Sequence, residues 1–406
     1  MKLMRSLLFA CLLGMPVPGW AATAFWHAAA AQDARALSIA GVRAVEVTFD
    51  PAFDPAQSRE LELDLFGAKV VAIRSGFEQR DHGWTWTAAV DGVVGHDVVL
   101  SQVDGQLAGR VATHTATYEL RPRRTGAADL IELDPAAFPP CGGAVEAESQ
   151  PTTHRDEPVA NVPDGVATTS IDVMIVYTPQ LLTTLGGEPQ VRAQAQAAVD
   201  AANTSFTNSE MSARFQLVAV LPTTIAEGPA VTALGMHLTS LRNDPQVAAQ
   251  RTHYGADLVS MLVVDGLRSC GIGYLMQSVG SGFASYGFQV TASDCAVGNL
   301  SYAHEHGHNM GMEHDRPNST SPATASFPWS FGHTIDGGYR TTMAYEDACT
   351  LGCVRRTYFS NPNVSYLGSP TGITEVADNH RTGDSTTPIV AAFRANTNPI
   401  FANGFN

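Results

Sequence analysis

The chain has 406 residues, which exceeds one typical domain and predicts two folded units joined by short segments. Its formal net charge of −15 at pH 7 argues against nucleic acid or an anionic membrane as a partner, because both require basic faces. After the N-terminal leader, no stretch is apolar enough to predict a membrane span. Neither length nor charge indicates an oligomeric state.

Residues 1–24 have the pattern of a secretory signal peptide. A basic start precedes an apolar run over residues 7–15, and prolines then break the run before a group of small residues. Cleavage after Ala21 and cleavage after Ala24 both fit this pattern. We therefore expect a secreted protein, either extracellular or periplasmic.

Residues 25–143 alternate apolar and polar positions in the manner of antiparallel strands. We predict strands over residues 43–49, 60–66 and 84–90, and a hairpin over residues 98–120. The region has no catalytic constellation, so it is interpreted as a β-rich domain without chemistry of its own.

Residues 144–169 are rich in Pro, Ala, Thr and charge without periodicity, which predicts an exposed linker. Residues 170–406 then alternate strand-like and helix-like segments, which predicts a mixed twisted sheet with helices packed on it. The predicted strands are 171–177, 215–221, 258–264 and an edge strand at 288–291, and the predicted helices are 188–207 and a closing helix at 387–395.

The most informative stretch of this second unit contains His304, Glu305, His308, Gly311 and His314. Residues four apart on a helix share a face, so the first two histidines point the same way. The glycine tolerates positive φ and can end the helix, so that the third histidine turns back toward the first two. Three imidazoles with a fourth position left for water form the open, catalytic type of zinc site.

The acidic residue of the motif separates two functional interpretations. In a zinc hydrolase, Glu305 takes the proton of the attacking water as general base. The alternative is a secreted zinc-binding adhesion or binding module without turnover, which needs no base and would have a fourth protein ligand. His306 points away from the ligands, toward solvent or behind them, and is not predicted to bind metal.

The motif resembles HExxHxxGxxH of the metzincin zinc proteases, and it matches that pattern at every fixed position. The resemblance implies an α+β zincin catalytic domain with a mixed twisted sheet and an active-site helix. It also implies a methionine turn, for which Met343 within residues 341–345 is the candidate. Asp315 after the third ligand resembles the reprolysin branch, whereas Tyr345 resembles the astacin pattern, so the subfamily stays open.

The layout also resembles the secreted bacterial metzincins typified by peptidyl-Asp metalloendopeptidase. That resemblance implies a zymogen with a β-rich propeptide and an endopeptidase that acts on proteins or peptides, with cleavage on the amino side of Asp. A pocket for that aspartate requires a cation, and Arg340 is the candidate, with Arg355 and Arg356 as alternatives. Tyr345 could donate to the substrate oxyanion, although a packed tyrosine is nearly as well supported.

Five cysteines remain once the leader is removed. In an exported protein, four of them would form two disulfides and one would stay free. Among the three pairings open to the four downstream cysteines, we prefer Cys270–Cys295 and Cys349–Cys353, which leaves Cys141 as the free thiol.

The surroundings of Cys141 suggest a function for a free thiol. Prolines and glycines in residues 138–143 give the thiol a rigid approach with little bulk, and a thiolate is a good zinc ligand. The arrangement resembles the cysteine switch of metzincin propeptides, which implies that Cys141 blocks the zinc site in the zymogen. The alternative is that Cys141 belongs to a disulfide and another cysteine is spare.

Overall fold

The computed structural model describes residues 23–50, 52–90, 97–147, 168–228 and 234–395. Nearly all of the predicted signal peptide and most of the predicted linker lie outside these residues. Within the described ranges, no helix has the length and apolar character needed to cross a membrane.

The N-terminal unit is a ten-stranded sheet whose neighbours pair antiparallel except at one edge, where β1 pairs parallel with β4. The strand order is β1-β4-β5-β6-β7-β8-β9-β10-β3-β2. Because β1 and β2 follow one another in the chain but lie at opposite edges, the sheet curves until its edges meet. The elements are β1 (Thr23–Ala24), β2 (Trp26–Gln32), α1 (Ala34–Leu37), β3 (Gly41–Phe49), β4 (Glu60–Leu65), β5 (Ala68–Arg80), β6 (Gly83–Val90), β7 (Val98–Val103), β8 (Gln106–Ala112), β9 (Thr117–Pro122) and β10 (Ala128–Leu133).

The predicted β-rich character of this unit is confirmed, since every predicted strand is present. Four strands were missed, namely β1, β2, β5 and β10. The longest of these, β5, has only one buried residue among thirteen, so it lacks the alternation on which a sequence-based prediction depends. Its place in the sheet comes from its pairing with β4 and β6.

The C-terminal unit is built on a six-stranded sheet of order β11-β15-β16-β14-β12-β13, in which only β15 and β16 pair antiparallel. Two- and three-stranded sheets complete the unit. Its elements are β11 (Ala144–Glu146), β12 (Thr169–Tyr177), α2 (Pro179–Leu185), α3 (Glu188–Asn208), β13 (Ala213–Pro222), α4 (Leu234–Asn243), α5 (Pro245–Tyr254), β14 (Leu258–Val263), β15 (Gly271–Leu275), β16 (Phe288–Ala292), α6 (Ser293–Ala296), α7 (Ser301–Asn309), β17 (Thr334–Ile335), β18 (Tyr339–Arg340), β19 (Val354–Arg355), β20 (Ser365–Tyr366), β21 (Ser369–Pro370) and α8 (Asn379–Val390).

Three details of the prediction for this unit are wrong. The strand at 288–292 is not an edge strand, because it lies between β14 and β15. The closing helix begins at Asn379, well before the predicted start, since a stretch rich in Thr with an internal Pro388 carries little helical signal. The predicted linker begins with a strand, β11, which pairs parallel with β15.

The two units are joined by buried polar contacts as well as by apolar packing. Helix α3 packs on β13 of its own unit and on β7 and β8 of the N-terminal unit. On this helix, buried Asp200 accepts hydrogen bonds from Thr85 at 2.5 Å and Ser101 at 2.6 Å, and it pairs with Arg80 at 2.8 Å. The apolar core of the N-terminal sheet also includes three tyrosines of the C-terminal unit, namely Tyr339, Tyr358 and Tyr366.

The predicted disulfides are confirmed. Cys270 is bonded to Cys295, and Cys349 is bonded to Cys353. Cys141 is the one free cysteine among the described residues.

Candidate metal centre and active site

Helix α7 presents its two motif histidines on one face, and both are buried. The helix ends at Asn309, and Gly311 has φ +84°, a left-handed conformation that glycine adopts without strain. The chain therefore turns there as predicted and returns His314 to the other two histidines. The residue that caps the start of the helix is Leu300, which makes no side-chain cap hydrogen bond.

Main-chain carbonyls orient all three imidazoles. Nδ1 of His304 lies 2.9 Å from the carbonyl of Thr342, and Nδ1 of His308 lies 2.9 Å from that of Met312. Nδ1 of His314 lies 3.3 Å from the carbonyl of Asn318. A carbonyl only accepts, so each Nδ1 carries the proton and each Nε2 is left with a lone pair.

The three Nε2 atoms converge on one point. Nε2 of His314 lies 3.0 Å from that of His308 and 3.2 Å from that of His304. Burial lowers the pKa of each of these imidazoles, so they are neutral near pH 7. Three lone pairs facing one another repel unless a cation lies between them, and the ligand nitrogens of tetrahedral zinc are about 3.3 Å apart. The donor set therefore fits zinc.

The thiol of Cys141 lies beside the same point. Its Sγ is 4.0 Å from Nε2 of His308, and the four donor atoms all lie within 4.8 Å of one another. Burial and the neighbouring Glu305 raise the pKa of the Cys141 thiol, so the thiolate form requires a cation beside it. Pro140 and Gly142 hold the segment in place by main-chain hydrogen bonds to Cys270 and Gly271 at the start of β15.

Glu305 lies between the histidines and the edge of the sheet. Its side chain is fully buried, and no N–H or O–H group of the described residues donates to either carboxylate oxygen. A Cβ at Gly271 would lie 2.6 Å from Oε1 of Glu305, so this position of β15 requires glycine. Burial raises the pKa of Glu305 to about 8.

The turn that contains Met343 packs under the histidines, and Tyr345 lies over them. Met343 is fully buried, and the residue before it supplies the carbonyl that orients His304. The ring of Tyr345 lies 4.2 Å from that of His314, and its hydroxyl donates to the Cys141 carbonyl at 3.4 Å. Asp315 fixes this geometry, because its carboxylate accepts the main-chain N–H of Tyr345 at 2.8 Å.

Two of the three candidate pocket arginines are engaged elsewhere. Arg340 lies 3.6 Å from Glu346 and donates to the Ala344 carbonyl. Arg356 donates to the carbonyl of Thr113 in the N-terminal unit. Arg340 was the preferred candidate because it is close to Met343 in the sequence, whereas the contacts of these arginines depend on distant segments of the chain.

The remaining histidine of α7, His306, does not face solvent. His306 is fully buried, and its ring nitrogens bond Ser260 at 2.7 Å and Asn309 at 3.0 Å. The solvent-facing alternative is therefore wrong, and His306 instead connects α7 to β14 behind the ligands.

A mixed sheet that carries three converging imidazoles on a helix and the loop after it, with a buried glutamate beside them, defines a zinc-dependent hydrolase. The family model Reprolysin_5, metallo-peptidase family M12, matches residues 167–360. The peptidyl-Asp metalloendopeptidase of Stenotrophomonas maltophilia is 31% identical over 362 residues, which are 82% of this chain and 83% of that protein. The Xanthomonas campestris protein of the same name is 32% identical over 312 residues, 74% of this chain and 70% of that one.

The chain therefore belongs to metallopeptidase family M12, and it is a zinc metalloendopeptidase. Among solved structures, metalloproteinase-II from Bacteroides fragilis is 10% identical, covering 63% of this chain and 80% of that chain. The TM-score of that match is 0.38, too low to support a common fold.

Proposed function

We propose that the chain is the precursor of an exported endopeptidase that cuts proteins on the amino side of aspartate, and that residues 25–143 are its propeptide. The convergence of three Nε2 atoms beside the buried Glu305 carries this proposal. The aspartate preference is supported by the relatives, each of which is called a peptidyl-Asp metalloendopeptidase. Export is supported by the leader pattern and by two disulfides.

His304, His308 and His314 would hold the metal, with Met343 packed beneath them. Bound zinc acts as a Lewis acid and lowers the pKa of water. Glu305 accepts the proton of the attacking water and passes it to the leaving amine. The hydroxyl of Tyr345 donates a hydrogen bond to the oxyanion that develops on the substrate carbonyl.

In the precursor, the segment around Cys141 keeps this site latent. The thiol takes the position that the attacking water needs, beside the three imidazoles. Strand β11 pairs with β15, the edge to which an extended peptide would otherwise add. Both contacts keep substrate out of the site.

Peptidase activity is tested by incubating the purified, matured protein with a denatured protein and mapping the cut bonds by mass spectrometry. We expect cuts before aspartate that a zinc chelator abolishes and added zinc restores. Zinc binding without any cut would favour a binding module, and chelator-resistant cutting would reject zinc dependence.

Latency is tested by Cys141→Ser in the full-length precursor. We expect a precursor that is active before processing, or that matures faster than the parent. The double variant Cys141→Ser with Glu305→Gln should be silent, which shows that the activity comes from this site. A single variant as silent as the parent would reject the switch.

Export is tested by N-terminal sequencing of the Glu305→Gln precursor, which does not process itself, after its recovery outside the cytoplasm. A first residue after Ala21 or Ala24 is expected. An intact Met1 on the exported protein would reject the signal peptide.

A further inference from the structure

A buried arginine lies beside the metal centre and forms no salt bridge with a carboxylate of the described residues. Arg355 ends strand β19 and is only 7% exposed. Its guanidinium donates to the carbonyls of Asn299 at 2.9 Å and Ala344 at 3.2 Å. Within the described part of the chain, Nε is buried without a hydrogen-bond partner. Burying a cation that only carbonyls contact costs free energy. The site therefore lacks an anion that would pair with the guanidinium.

The two carbonyls place Arg355 at the wall of the substrate cleft. Asn299 lies just before α7 and contacts Sγ of Cys270 at 3.5 Å. Cys270 directly precedes β15, which becomes the edge strand once β11 is removed. Ala344 follows Met343 in the turn beneath the ligands. Arg355 therefore lies between the helix that bears the metal ligands and that turn, at the Cys270 end of the edge strand.

The electrostatics agree with this placement. Burial lowers the pKa of the Arg355 guanidinium, whereas the nearby Cys141, Tyr345, Glu305 and Glu346 raise it. The first three of these groups lie around the metal centre. The segment around Cys141 covers the metal centre in the precursor, so its removal opens the site toward Arg355.

The other two candidate arginines differ from Arg355 in the groups that they contact. Arg340 lies near the carboxylate of Glu346, and Arg356 binds a carbonyl of the N-terminal unit. Of the three arginines considered from the sequence, Arg355 is the one whose charge acts on Cys141 and Glu305 while no carboxylate contacts it directly.

We infer that Arg355 is the residue that selects the substrate, by binding the carboxylate of the side chain that follows the cut bond. A peptide added antiparallel to β15 runs from Leu275 toward Gly271, which carries the residues after the cut toward the Cys270 end. A guanidinium matches a carboxylate in charge and in its paired hydrogen bonds. This inference rests on the proposed aspartate-directed cleavage and names the residue behind it.

The test compares two peptides that differ only in Asp or Asn after the cut bond. The ratio of their kcat/KM values is measured for the matured wild type, for Arg355→Met and for Arg355→Lys. Arg340→Met is the matched control, because Arg340 is an equally buried arginine that also holds the Ala344 carbonyl. The ratio is taken within one preparation, so it does not depend on the fraction of folded enzyme.

We expect Arg355→Met to lower the Asp/Asn ratio on the order of a hundredfold, mainly by slowing the Asp peptide, as when one partner of a buried charge pair is removed. Arg355→Lys should retain part of the ratio, and Arg340→Met should retain all of it. If Arg355→Met loses its zinc, Arg355→Gln serves in its place, since its amide can still donate to a carbonyl.

An unchanged ratio in the Arg355 variants, or an equal loss in Arg340→Met, overturns the assignment of Arg355 while leaving the proposed function intact. A wild type that cuts the two peptides equally well overturns the aspartate preference itself, and the assignment with it.

Discussion

At the scale of single residues, Glu305 is the group whose removal should separate metal binding from chemistry. Glu305→Gln leaves the three imidazoles and their carbonyl partners untouched, so zinc content should be unchanged. Peptidase activity should fall by about a hundredfold or more, because the general base is lost.

The control for this variant is His308→Ala, which should lose zinc and activity together. Metal analysis and peptide hydrolysis on the same samples make the comparison. Near-normal turnover by Glu305→Gln with full zinc content would reject the role of the carboxylate.

Tyr345 tests whether the hydroxyl above the ligands acts on the substrate. Tyr345→Phe keeps the ring that packs at 4.2 Å on His314 and removes only the hydroxyl. Losing one donor to an oxyanion costs about a hundredfold in rate. We therefore expect kcat to fall by that order while the melting temperature stays constant, and unchanged kinetics would show that the tyrosine serves packing alone.

The candidate ligands could be named from the sequence because their spacing is local. His304 and His308 share a helical face by periodicity alone, and Gly311 indicates the turn that returns His314. Arg355 could not be singled out, because it reaches the site through β19 and through carbonyls of distant segments. The cap at Leu300 was also missed, since a left-handed leucine without a side-chain bond has no sequence signature.

At the scale of elements, the C-terminal helix α8 is tied to the segment before β13 through Asp384, which also forms an ion pair with His380 inside the helix. His380 lies 3.1 Å from Asp384, whose other oxygen accepts the main-chain N–H of Ser212, just before β13, at 2.8 Å. Burial alone would lower the pKa of His380, but Asp378 and Asp384 raise it to about 10.

A raised pKa means that the stabilisation is complete below the unfolded-state pKa of about 6.5 and is lost as pH rises through about 10. The destabilisation caused by His380→Asn should therefore be largest below pH ~6.5 and should shrink toward pH ~10. The loss of stability is measured by thermal unfolding of His380→Asn and of its parent across this pH range. Both proteins carry Glu305→Gln to prevent self-cleavage. A difference that stays constant or grows with pH would contradict the ion pair.

Prediction of elements from the sequence succeeded where a strand alternates or is continuously apolar, and it failed where an element shows neither pattern. The strands at 171–177 and 258–263 were found because they are continuous apolar runs. Helix α8 was largely missed because its position depends on contacts such as the bond from Thr386 to the Met310 carbonyl. The position of β16 between β15 and β14 could not be predicted either, since strand order depends on pairing between segments that are far apart in the sequence.

At the scale of the whole molecule, the buried contacts between the units predict that cutting the linker does not separate them. Buried Arg110 donates to the carbonyl of Arg355, and Arg356 donates back to Thr113. Breaking such a buried polar contact typically costs a few kcal/mol. The cut units should co-elute on size exclusion, and activity should appear later than the cut.

The linker aspartates Asp156 and Asp164 lie outside the described residues and are the expected self-processing points. Arg110→Ala should loosen the cut complex and bring activity forward. Arg43→Ala, which removes an exposed ion pair within the N-terminal sheet, is the control. It should change neither the co-elution of the cut units nor the time at which activity appears. Immediate separation of the parent units after the cut would contradict the prediction.

The central claim is that three histidines and one cysteine surround a single zinc ion in the precursor, and that maturation removes the cysteine. Zinc-edge X-ray absorption tests it directly on the full-length Glu305→Gln precursor and on the matured wild type. We expect three nitrogen neighbours and one sulfur neighbour in the precursor, and only nitrogen and oxygen neighbours after maturation. A precursor without a sulfur neighbour, or a matured enzyme that keeps one, would contradict it.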